Sequence, residues 1–394
     1  MNAAPLLEAP LFEAKVFHAQ VMGAGPTGAL AALALAEAGW QVTIGDPLDR
    51  AALLERSRAY AFSHSSQRLL ERLGLWQSLA AVMVPFRQLQ LCDLGAKAAV
   101  PFSVTDLAPG LARRPDAAVG WIGQHRPLME QLLDRLEAHP AITLQLGTLQ
   151  APRAVDLVVA ADGPHSPTRD ALGVGVTHWS YRQSCLTALV QLRGSGADEA
   201  WELLRPEGPF AVLPLGDGLV QVVWSAPQGR CRQLESLGDA AFLDALAGAL
   251  PDRFQPDALR DQPRAFPVAL QWAHRLHRGN TVLVGESGHR CHPVGGQGLN
   301  LCWRDVAQLH RLALRVSSGR LAVERLPAAY GWRRWPDLVL TLAATDALVR
   351  LFSNRAPLLL PLRRLTLALM ARVPLLRRLA LAAMTHGPCQ GWMG

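Results

Sequence analysis

A glycine-rich turn between two apolar segments limits the possible folds of this chain more than any other feature. The first segment, His18–Met22, is predicted to be a strand. Residues 23–28 follow with the spacing GxGxxG, an alanine- and leucine-rich helix extends to Ala38, and residues 41–44 form a second strand that leads to Asp46. This order predicts a βαβ unit, which is typical of a parallel sheet with helices on its faces.

The glycine spacing in this unit predicts a dinucleotide-binding site. Gly23, Gly25 and Gly28 allow a tight turn and the close approach of a pyrophosphate to the helix N-terminus, where partial positive charge gathers. Asp46, at the end of the second strand, is placed to accept hydrogen bonds from an adenosine ribose. An isolated GxGxxG is a weak signal, and the strand–helix–strand context makes it specific.

A second glycine-rich segment, residues 285–300, reads GESGHRCHPVGGQGLN. Residues 282–284 enter it as a predicted strand, and a helical pattern over residues 299–314 follows it. Its small residues leave backbone N–H groups accessible at a helix N-terminus, which suits an anion or an electron-rich ring edge. Taken alone, the segment is equally consistent with a tight structural turn.

A third motif, DGxxSxxR, follows an apolar strand predicted over residues 155–160. Gly163 allows a sharp turn, and Asp162 can accept hydrogen bonds from a cofactor. Ser166 and Arg169 can fix the loop. An ordinary turn before a capped helix gives the same pattern, so the assignment depends on the order of the three motifs.

Composition indicates a globular protein with a large core. Of the 394 residues, 50% are hydrophobic and only 18% are charged, so disorder is excluded. The six cysteines show neither a CxxC pair nor metal-ligand spacing, which predicts reduced thiols in a cytoplasmic protein and no metal site. The first 20 residues do not resemble a secretory signal, and no apolar run of about 18 residues predicts a membrane-spanning helix.

Positive charge is concentrated near the carboxyl-terminal end. No acidic residue follows Asp346, but seven arginines do: Arg350, Arg355, Arg363, Arg364, Arg372, Arg377 and Arg378. Leucines separate them, which argues against nucleic-acid binding and favours a membrane surface or a partner's groove. Because arginine outnumbers lysine throughout the chain, compositional bias is the alternative.

The remaining pattern predicts a divided nucleotide-binding domain. Between residues 186 and 224, short apolar segments alternate with turns, which predicts an antiparallel sheet inserted before the 282–284 strand. Helices are predicted over residues 65–75 and 128–138, the second bounded by Pro127 and Pro140. Beyond residue 300 the chain is predicted to be helical, with the helices divided by Pro336, Pro357, Pro361 and Pro374.

In this order the three motifs resemble those of the class A flavoprotein monooxygenases, most closely the aromatic-ring hydroxylases of ubiquinone biosynthesis. The resemblance extends from about residue 16 to residue 386. It includes RAYAFS at residues 58–63, GPFAVLPL at 208–215 and, most specifically, RRWPD at 333–337 with LFSN at 351–354.

This resemblance implies an α/β fold: a Rossmann-like FAD-binding domain split in sequence, an inserted mixed β-sheet substrate domain and a helical C-terminal tail. The implied FAD-binding parts are residues 16–76, 101–175 and 271–330. The implied substrate-domain parts are residues 77–100 and 176–270, and the helical region is 331–394.

The resemblance also assigns residues to FAD. It implies the pyrophosphate at Gly23, Gly25 and Gly28, and the ribose at Asp46. Further implied FAD contacts are Arg58, Gln124, Asp162, Gly163, Gly285, Glu286, Pro293, Gly295, Gly296, Gln297, Gly298, Leu299 and Asn300. Of these, Glu286 takes the place of an aspartate that holds the ribityl chain. The 293–300 segment is expected to lie against the isoalloxazine ring.

No acid–base residue can be assigned from the sequence. His292 and Pro293 are candidates for tuning the flavin, and a structural hydrogen bond is the alternative for His292 and for His289. Three departures from the family pattern predict weakened flavin binding: Glu286 in place of aspartate, Gln124-His125 in place of Glu-Asn, and a short connection between residues 146 and 155.

The implied reaction is hydroxylation of a polyprenylated phenol or quinol in ubiquinone biosynthesis, in which a flavin C4a-hydroperoxide transfers oxygen to the ring. NADH, NADPH or a protein donor would reduce the flavin, and molecular oxygen and a lipid-like aromatic compound would be substrates. The alternatives are a hydroxylase of a soluble aromatic compound and a non-catalytic subunit of a lipid-biosynthesis complex. The basic C-terminal helices are expected to contact the inner face of a membrane or partner subunits.

Overall fold

The computed structural model describes residues 15–389, and residues 1–14 and 390–394 lie outside it. The prediction about a secretory signal in the first 20 residues therefore falls mostly outside the described residues, as does the end of the predicted helical region 331–394. Within the described part, the strands form three sheets.

The first sheet confirms the predicted βαβ unit. Its strands are His18–Met22 (β1), Gln41–Asp46 (β2), Ile142–Leu146 (β8), Leu157–Ala160 (β9), His277–Arg278 (β16) and Thr281–Leu283 (β17). Their order is β16-β17-β9-β1-β2-β8. β1 is parallel to β2 and β9, and β9 is parallel to β17. Because neighbouring strands come from distant parts of the chain, the domain is split in sequence, as predicted.

The second sheet is the predicted β-rich insertion. Its strands are Gln88–Asp93 (β5), Ala98–Ser103 (β6), Val176–Arg193 (β10), Glu199–Leu204 (β11), Phe210–Pro214 (β12), Leu219–Pro227 (β13), Gln255–Leu259 (β14), Arg264–Ala273 (β15) and His289–Arg290 (β18). Pairing is antiparallel except between β5 and β11, so the sheet is mixed. The expected boundaries after residues 100 and 270 fall inside β6 and β15, because these strands continue the sheet beyond them.

A third sheet contains Ala59–Phe62 (β3), Met83–Phe86 (β4) and Gly120–Gln124 (β7). Both β3 and β4 pair with β7 in antiparallel orientation. β18, which lies inside the 285–300 segment, pairs with β15 of the second sheet. This glycine-rich segment therefore follows β17 of the first sheet and also contacts the second.

Thirteen α-helices lie within residues 15–389. They are Pro26–Glu37 (α1), Arg50–Leu54 (α2), His64–Arg72 (α3), Trp76–Ala80 (α4), Pro109–Ala112 (α5), His125–Ala138 (α6), Pro167–Ala171 (α7), Gln228–Glu235 (α8), Asp239–Ala247 (α9), Gln297–Ser317 (α10), Leu326–Phe352 (α11), Leu360–Arg372 (α12) and Pro374–His386 (α13). α1 is almost entirely buried, which explains its alanine- and leucine-rich sequence.

Two predicted helix boundaries at proline are wrong. Pro127 does not precede α6 but lies in its first turn. N–H groups in the first turn of a helix have no intrahelical acceptor, so proline at this position costs no hydrogen bond. Pro336 does not divide the chain, because it lies inside α11. Its side chain faces solvent, while the neighbouring Arg334 and Asp337 are buried and ion-paired, so the buried face of the helix continues past it.

The C-terminal helices close one end of the second sheet. Phe352, Leu367 and Leu381 from α11, α12 and α13 pack with Phe102 and Leu204 in one buried cluster. No helix in residues 15–389 has both the length and the apolar character needed to cross a membrane.

Candidate active site

All three glycine-containing motifs border one large cavity of about 880 Å³, near the upper end of the usual size for a ligand site. The predicted site residues that line it are Gly23, Gly25, Asp46, Arg58, Asp162, Gly163, Glu286, Pro293, Gly295, Gly296, Gln297, Gly298, Leu299 and Asn300. Gly28, Gln124, Gly285 and His292 are not among the lining residues. The cavity therefore unites most of the predicted site.

The first motif forms an open helix N-terminus at the cavity. Gly25 is the N-cap of α1, and no side chain of the described residues caps it. Gly28 packs so closely that an added Cβ would lie 1.9 Å from the Gly23 carbonyl oxygen. A Cβ on Gly25 would meet no described protein atom within 4 Å. Free N–H groups and empty space beside Gly25 fit a bound pyrophosphate.

Asp46 supports this turn from the end of β2. Its Oδ2 accepts a hydrogen bond from the Ala24 N–H at 2.7 Å, and its Oδ1 accepts one from the Leu48 N–H at 2.9 Å. A carboxylate has about four acceptor positions, so Asp46 retains capacity for hydroxyl donors in the cavity. The position fits the predicted ribose contact.

The second motif is fixed by its own side chains. Asp162 accepts hydrogen bonds from the Ser166 hydroxyl and from the Thr168 N–H. Ser166 Oγ accepts one from the Arg169 N–H at 3.0 Å, and Arg169 donates to the Ser287 carbonyl oxygen at 3.2 Å. Ser166 and Arg169 therefore hold the loop as the sequence predicts, and Arg169 also connects it to the third motif.

The third motif ends at the N-terminus of α10. Gly295 and Gly296 have φ values of 67° and 63°, a left-handed conformation that favours glycine. α10 begins at Gln297, and no described side chain caps it. A Cβ on Gly295 or Gly298 would meet no described protein atom within 4 Å. The free N-terminus of α10 therefore faces the cavity, which has room for a planar ring at this point.

The side chain of Asn300 has a structural role, in addition to the FAD contact that was predicted for this residue. Its Oδ1 accepts hydrogen bonds from the Ser63 N–H at 2.9 Å and the Ser66 hydroxyl at 2.7 Å. Its Nδ2 donates to the carbonyl oxygens of Ala61 and Gly296. The amide joins α10 to β3 and α3, so only its backbone remains for a ligand.

A buried ionic cluster behind the loop was not found from the sequence. Asp305 accepts hydrogen bonds from the Gly285 N–H at 2.8 Å, His289 Nε2 at 2.6 Å and Arg334 Nε at 2.6 Å. Asp337 pairs with Arg334 and Arg304. Burial opposes ionisation of Asp305, but the charges of His289 and Arg334 still lower its pKa. His289 therefore has a structural role. Arg334 and Asp337 belong to the RRWPD motif at residues 333–337, which only the family resemblance had singled out.

His292 lies outside the cavity and is fully buried. Its Nδ1 accepts a hydrogen bond from the Val294 N–H at 3.2 Å, and its ring contacts Tyr181 edge to face. Burial lowers the pKa of His292 to about 3, so the ring is neutral at physiological pH. A positive charge on His292 is therefore not available to tune the flavin, whereas Pro293 does line the cavity.

Gln124 and Arg58 differ in their relation to the cavity. Gln124 ends β7 as the partner of Ala59 and precedes α6, away from the lining. Arg58 lines the cavity and stacks on the Phe266 ring, with its guanidinium carbon 4.3 Å from the ring centroid. The Gln124-His125 departure thus does not alter the cavity wall. The other two departures do, because Glu286 lines the cavity and so do Leu149, Gln150 and Pro152 of the short 146–155 connection.

A second region of the same cavity is apolar. It is bordered by strands of the second and third sheets and by the C-terminal helices, through Phe86, Leu89, Leu91, Phe102, Leu204, Leu213, Val223, Leu348, Leu381 and Met384. Glu202 of β11 also lines it and is 8% exposed. No sequence motif indicated Glu202, because a single glutamate in a strand carries no recognisable pattern.

Two free helix ends, an acidic residue after β2 and glycines open to a large cavity define a site for a flavin dinucleotide. The family described as FAD binding domain matches residues 16–336. The chain belongs to this family, that of the class A flavin monooxygenases. It is an FAD-dependent oxidoreductase, and NADH or NADPH is the typical reductant in the family.

Relatives at the sequence level cover nearly the whole chain. The 3-demethoxyubiquinol 3-hydroxylase of Escherichia coli is 32% identical over 381 residues, which cover 90% of this chain and 94% of that protein. The ubiquinone hydroxylase UbiL of Rhodospirillum rubrum is 33% identical over 392 residues, covering 92% and 88%. These two relatives support the ubiquinone group within the family.

Solved structures confirm the fold. The p-nitrophenol 4-monooxygenase PnpA of Pseudomonas putida superimposes with a TM-score of 0.75 at 18% identity, covering 94% of this chain and 98% of that one. HpxO of Klebsiella pneumoniae, complexed with FAD and uric acid, superimposes with a TM-score of 0.74 at 17% identity, covering 96% and 100%. The predicted α/β architecture is that of flavin monooxygenases.

The Glu286→Asp substitution is expected to tighten FAD binding by up to about tenfold, the equivalent of one improved hydrogen bond of about 1.4 kcal/mol. The Glu286 side chain is 47% exposed, and its Oε1 lies 3.8 Å from Nε of Arg290, which also lines the cavity. At this distance and exposure the ion pair contributes little. The shorter aspartate would withdraw the carboxylate to the distance that a ribityl hydroxyl requires.

Titration of apoprotein with FAD, followed by flavin fluorescence, measures this effect. Glu286→Gln keeps the length of the side chain and removes its charge, so it serves as the control and should bind no more tightly than wild type. Unchanged or weaker binding by the aspartate variant would refute this role for Glu286.

Proposed function

We propose that this protein hydroxylates the aromatic ring of a polyprenylated phenol or quinol in ubiquinone biosynthesis, using FAD, molecular oxygen and NADH or NADPH. The observation that carries the proposal is the continuity of one cavity from the flavin loop to an apolar region. A phenol ring could lie beside the loop while its prenyl chain occupies the apolar region. The names of the relatives at 32% and 33% identity agree with this substrate class.

FAD, when bound, supplies the transfer of oxygen to the ring. The chain contributes binding, orientation and exclusion of water. The α10 N-terminus would present partial positive charge to the edge of the ring that becomes negative on reduction. Phe86, Phe102 and Leu213 would keep the substrate region dry, which limits loss of the oxidant to water.

The two alternatives explain less of the structure. A hydroxylase of a soluble aromatic compound needs no apolar region that extends to α11 and α13. A non-catalytic subunit would not need two free helix ends and glycines open to a common cavity. Gln124 is outside that cavity, Glu286 keeps its carboxylate, and the short 146–155 connection still contributes Leu149, Gln150 and Pro152 to the cavity lining, so none of the three departures removes the site.

Quinone profiling of a deletion strain tests the proposal. A strain that lacks this gene and any redundant hydroxylase should accumulate an under-hydroxylated prenylphenol and lose ubiquinone. Expression of the gene should restore the quinone. Normal quinone content in such a strain would contradict the proposed substrate class.

We further propose that the protein is cytoplasmic and binds peripherally to the inner face of a membrane through α12 and α13. Arg363 donates to the carbonyl oxygens of Leu351 and Asn354, and Arg377 pairs with Asp106, so these two arginines are structural. Three exposed arginines and six exposed leucines on these helices support surface binding: Arg364, Arg372, Arg378, Leu362, Leu365, Leu369, Leu375, Leu376 and Leu379. Arg355 and Leu358, just before α12, are exposed as well. Basic and apolar groups together suit an anionic lipid surface.

Changing Arg364, Arg372 and Arg378 to glutamate is expected to weaken binding to vesicles that contain anionic lipid by about 100-fold or more, at about 1 kcal/mol for each arginine. Cosedimentation measures the binding, which should also fall at high salt. The matched control changes three exposed arginines elsewhere, Arg232, Arg275 and Arg320, and should retain binding. Equal binding by both triple variants would contradict the proposed surface.

A further inference from the structure

Glu202 places a carboxyl group where the two regions of the cavity meet. It lies on β11, and its neighbours across the sheet are Leu91 of β5 and Ala211 of β12, both apolar. Its Oε2 accepts a hydrogen bond from the Gly295 N–H at 3.3 Å. Its Oε1 has no hydrogen-bond partner among residues 15–389, although the side chain lines the cavity.

The residues around Glu202 give no structural reason for a carboxylate at this position. No lysine, arginine or histidine in the described part of the chain forms an ion pair with it. Cys185 of β10 is close enough to interact with its charge, but burial raises the pKa of the Cys185 thiol to about 12, so the thiol is neutral. A buried carboxyl without a cation lowers stability, and a glutamine could equally accept the Gly295 hydrogen bond.

We propose that Glu202 is a catalytic residue that binds the ring hydroxyl of the phenolic substrate and accepts its proton. This inference rests on the proposed function and names the group that activates its substrate. A phenol beside the Gly295 loop, with its alkyl chain among the apolar residues, would direct its hydroxyl toward the free Oε1.

The proton and electrons balance in the following way. The phenol O–H bond breaks, its proton moves to Glu202 Oε1, and the electron pair stays on the phenolate oxygen. That charge makes the ring carbons ortho and para to it electron-rich. The FAD-dependent reaction delivers one atom of O₂ to the ring, and a ring electron pair forms the new C–O bond. The O–O bond breaks, and the second oxygen atom leaves as water with two electrons from NADH or NADPH. The ring C–H proton then leaves to solvent as aromaticity returns, and Glu202 returns its proton to the phenolate.

The protonation behaviour of Glu202 suits this role. Burial raises its pKa to about 7, opposed in part by the Gly295 hydrogen bond, and a base with a pKa near the operating pH is most effective. The groups that face it from β5, β12 and the loop are Leu91, Ala211 and the Gly295 backbone, none of which titrates. The hydroxylation rate should therefore rise with pH through about 7.

Glu202→Gln separates this role from simple anchoring of the loop. The amide keeps the acceptor for Gly295 but cannot take a proton, so kcat for a short-chain 2-alkylphenol should fall by about 100-fold or more, as for loss of a general base. The FAD Kd should stay within about twofold, since by this account the contact that holds the loop remains. The rise of kcat with pH near 7 should disappear.

A binding measurement without turnover gives an independent result. With oxidised holoprotein, the ultraviolet absorption of the bound 2-alkylphenol should shift to longer wavelength as pH rises through about 7, because ionised Glu202 then accepts a hydrogen bond from the phenol hydroxyl. Glu202→Gln should lack this pH-dependent shift, and Glu202→Asp should retain it. Glu199→Gln, on the same strand but outside the cavity lining, should behave as wild type.

The outcomes distinguish the two proposals. If wild type hydroxylates the phenol and Glu202→Gln matches it in kcat, pH profile and the pH-dependent spectral shift, this inference is overturned while the proposed function stands. If wild type binds FAD but hydroxylates no phenol, the proposed function and this inference fail together.

Discussion

Replacing Gly25 with alanine is expected to weaken FAD binding by about 100-fold or more while leaving the fold intact. An added Cβ would meet no described protein atom within 4 Å, and the φ of −65° at this residue is accessible to alanine. The methyl group would instead enter the space beside the free N-terminus of α1. A pyrophosphate could no longer approach the backbone there, and the loss corresponds to about 2.7 kcal/mol or more.

The control for this substitution is Gly229→Ala in α8. Its Cβ also meets no described protein atom within 4 Å, and Gly229 is outside the cavity lining. Both variants should show the circular dichroism spectrum of wild-type apoprotein, but only the Gly25 variant should lose FAD affinity in a fluorescence titration. Wild-type affinity in the Gly25 variant would show that the dinucleotide does not bind at this helix end.

Replacing Arg334 with methionine is expected to lower the free energy of unfolding by about 3–5 kcal/mol, the usual effect of removing one partner from a buried ionic cluster. Methionine fills much of the volume of the arginine, so the main loss is charge. Arg334 pairs with Asp305 and Asp337, and all three side chains are at most 1% exposed. Without it, two buried carboxylates would share one arginine, Arg304, and His289.

Arg333→Met is the matched control, because Arg333 is the exposed neighbour on α11, and it should change stability by less than about 0.5 kcal/mol. Denaturant unfolding at several pH values measures both.

Folding lowers the pKa of Asp305 and Asp337 below the ordinary 3.8, so their stabilisation is present above about pH 4 and is lost as pH falls. The effect of Arg334→Met should shrink in that acidic range. A small effect at neutral pH would contradict the cluster's role.

The βαβ unit and the helix after the 285–300 loop could be predicted from the sequence because their signals are local. Glycine spacing, an acidic residue after a strand and a helical pattern are all read within about 30 residues. Pro336 misled the prediction because its effect depends on tertiary contacts: Arg334 and Asp337 hold α11 together on the buried face.

The site residues also divide into those that local motifs predict and those that depend on tertiary contacts. The cavity-lining glycines follow from motifs, whereas Glu202 and the Asp305 cluster depend on contacts between elements that are far apart in the chain. Gly295 and Glu202 are 93 residues apart, and Gly285 meets Asp305 only because α10 folds back beneath the loop. Without a motif for such contacts, only the folded chain shows them.

Oxygen incorporation is the most direct test of the account. Purified protein reconstituted with FAD should be yellow, and with NADH or NADPH, a 2-alkylphenol and ¹⁸O₂ it should yield a hydroxylated ring that carries one ¹⁸O atom by mass spectrometry. Gly25→Ala protein in the same reaction should give little product at low FAD. A protein that stays colourless after FAD is added, or a product with oxygen from water, would contradict the account.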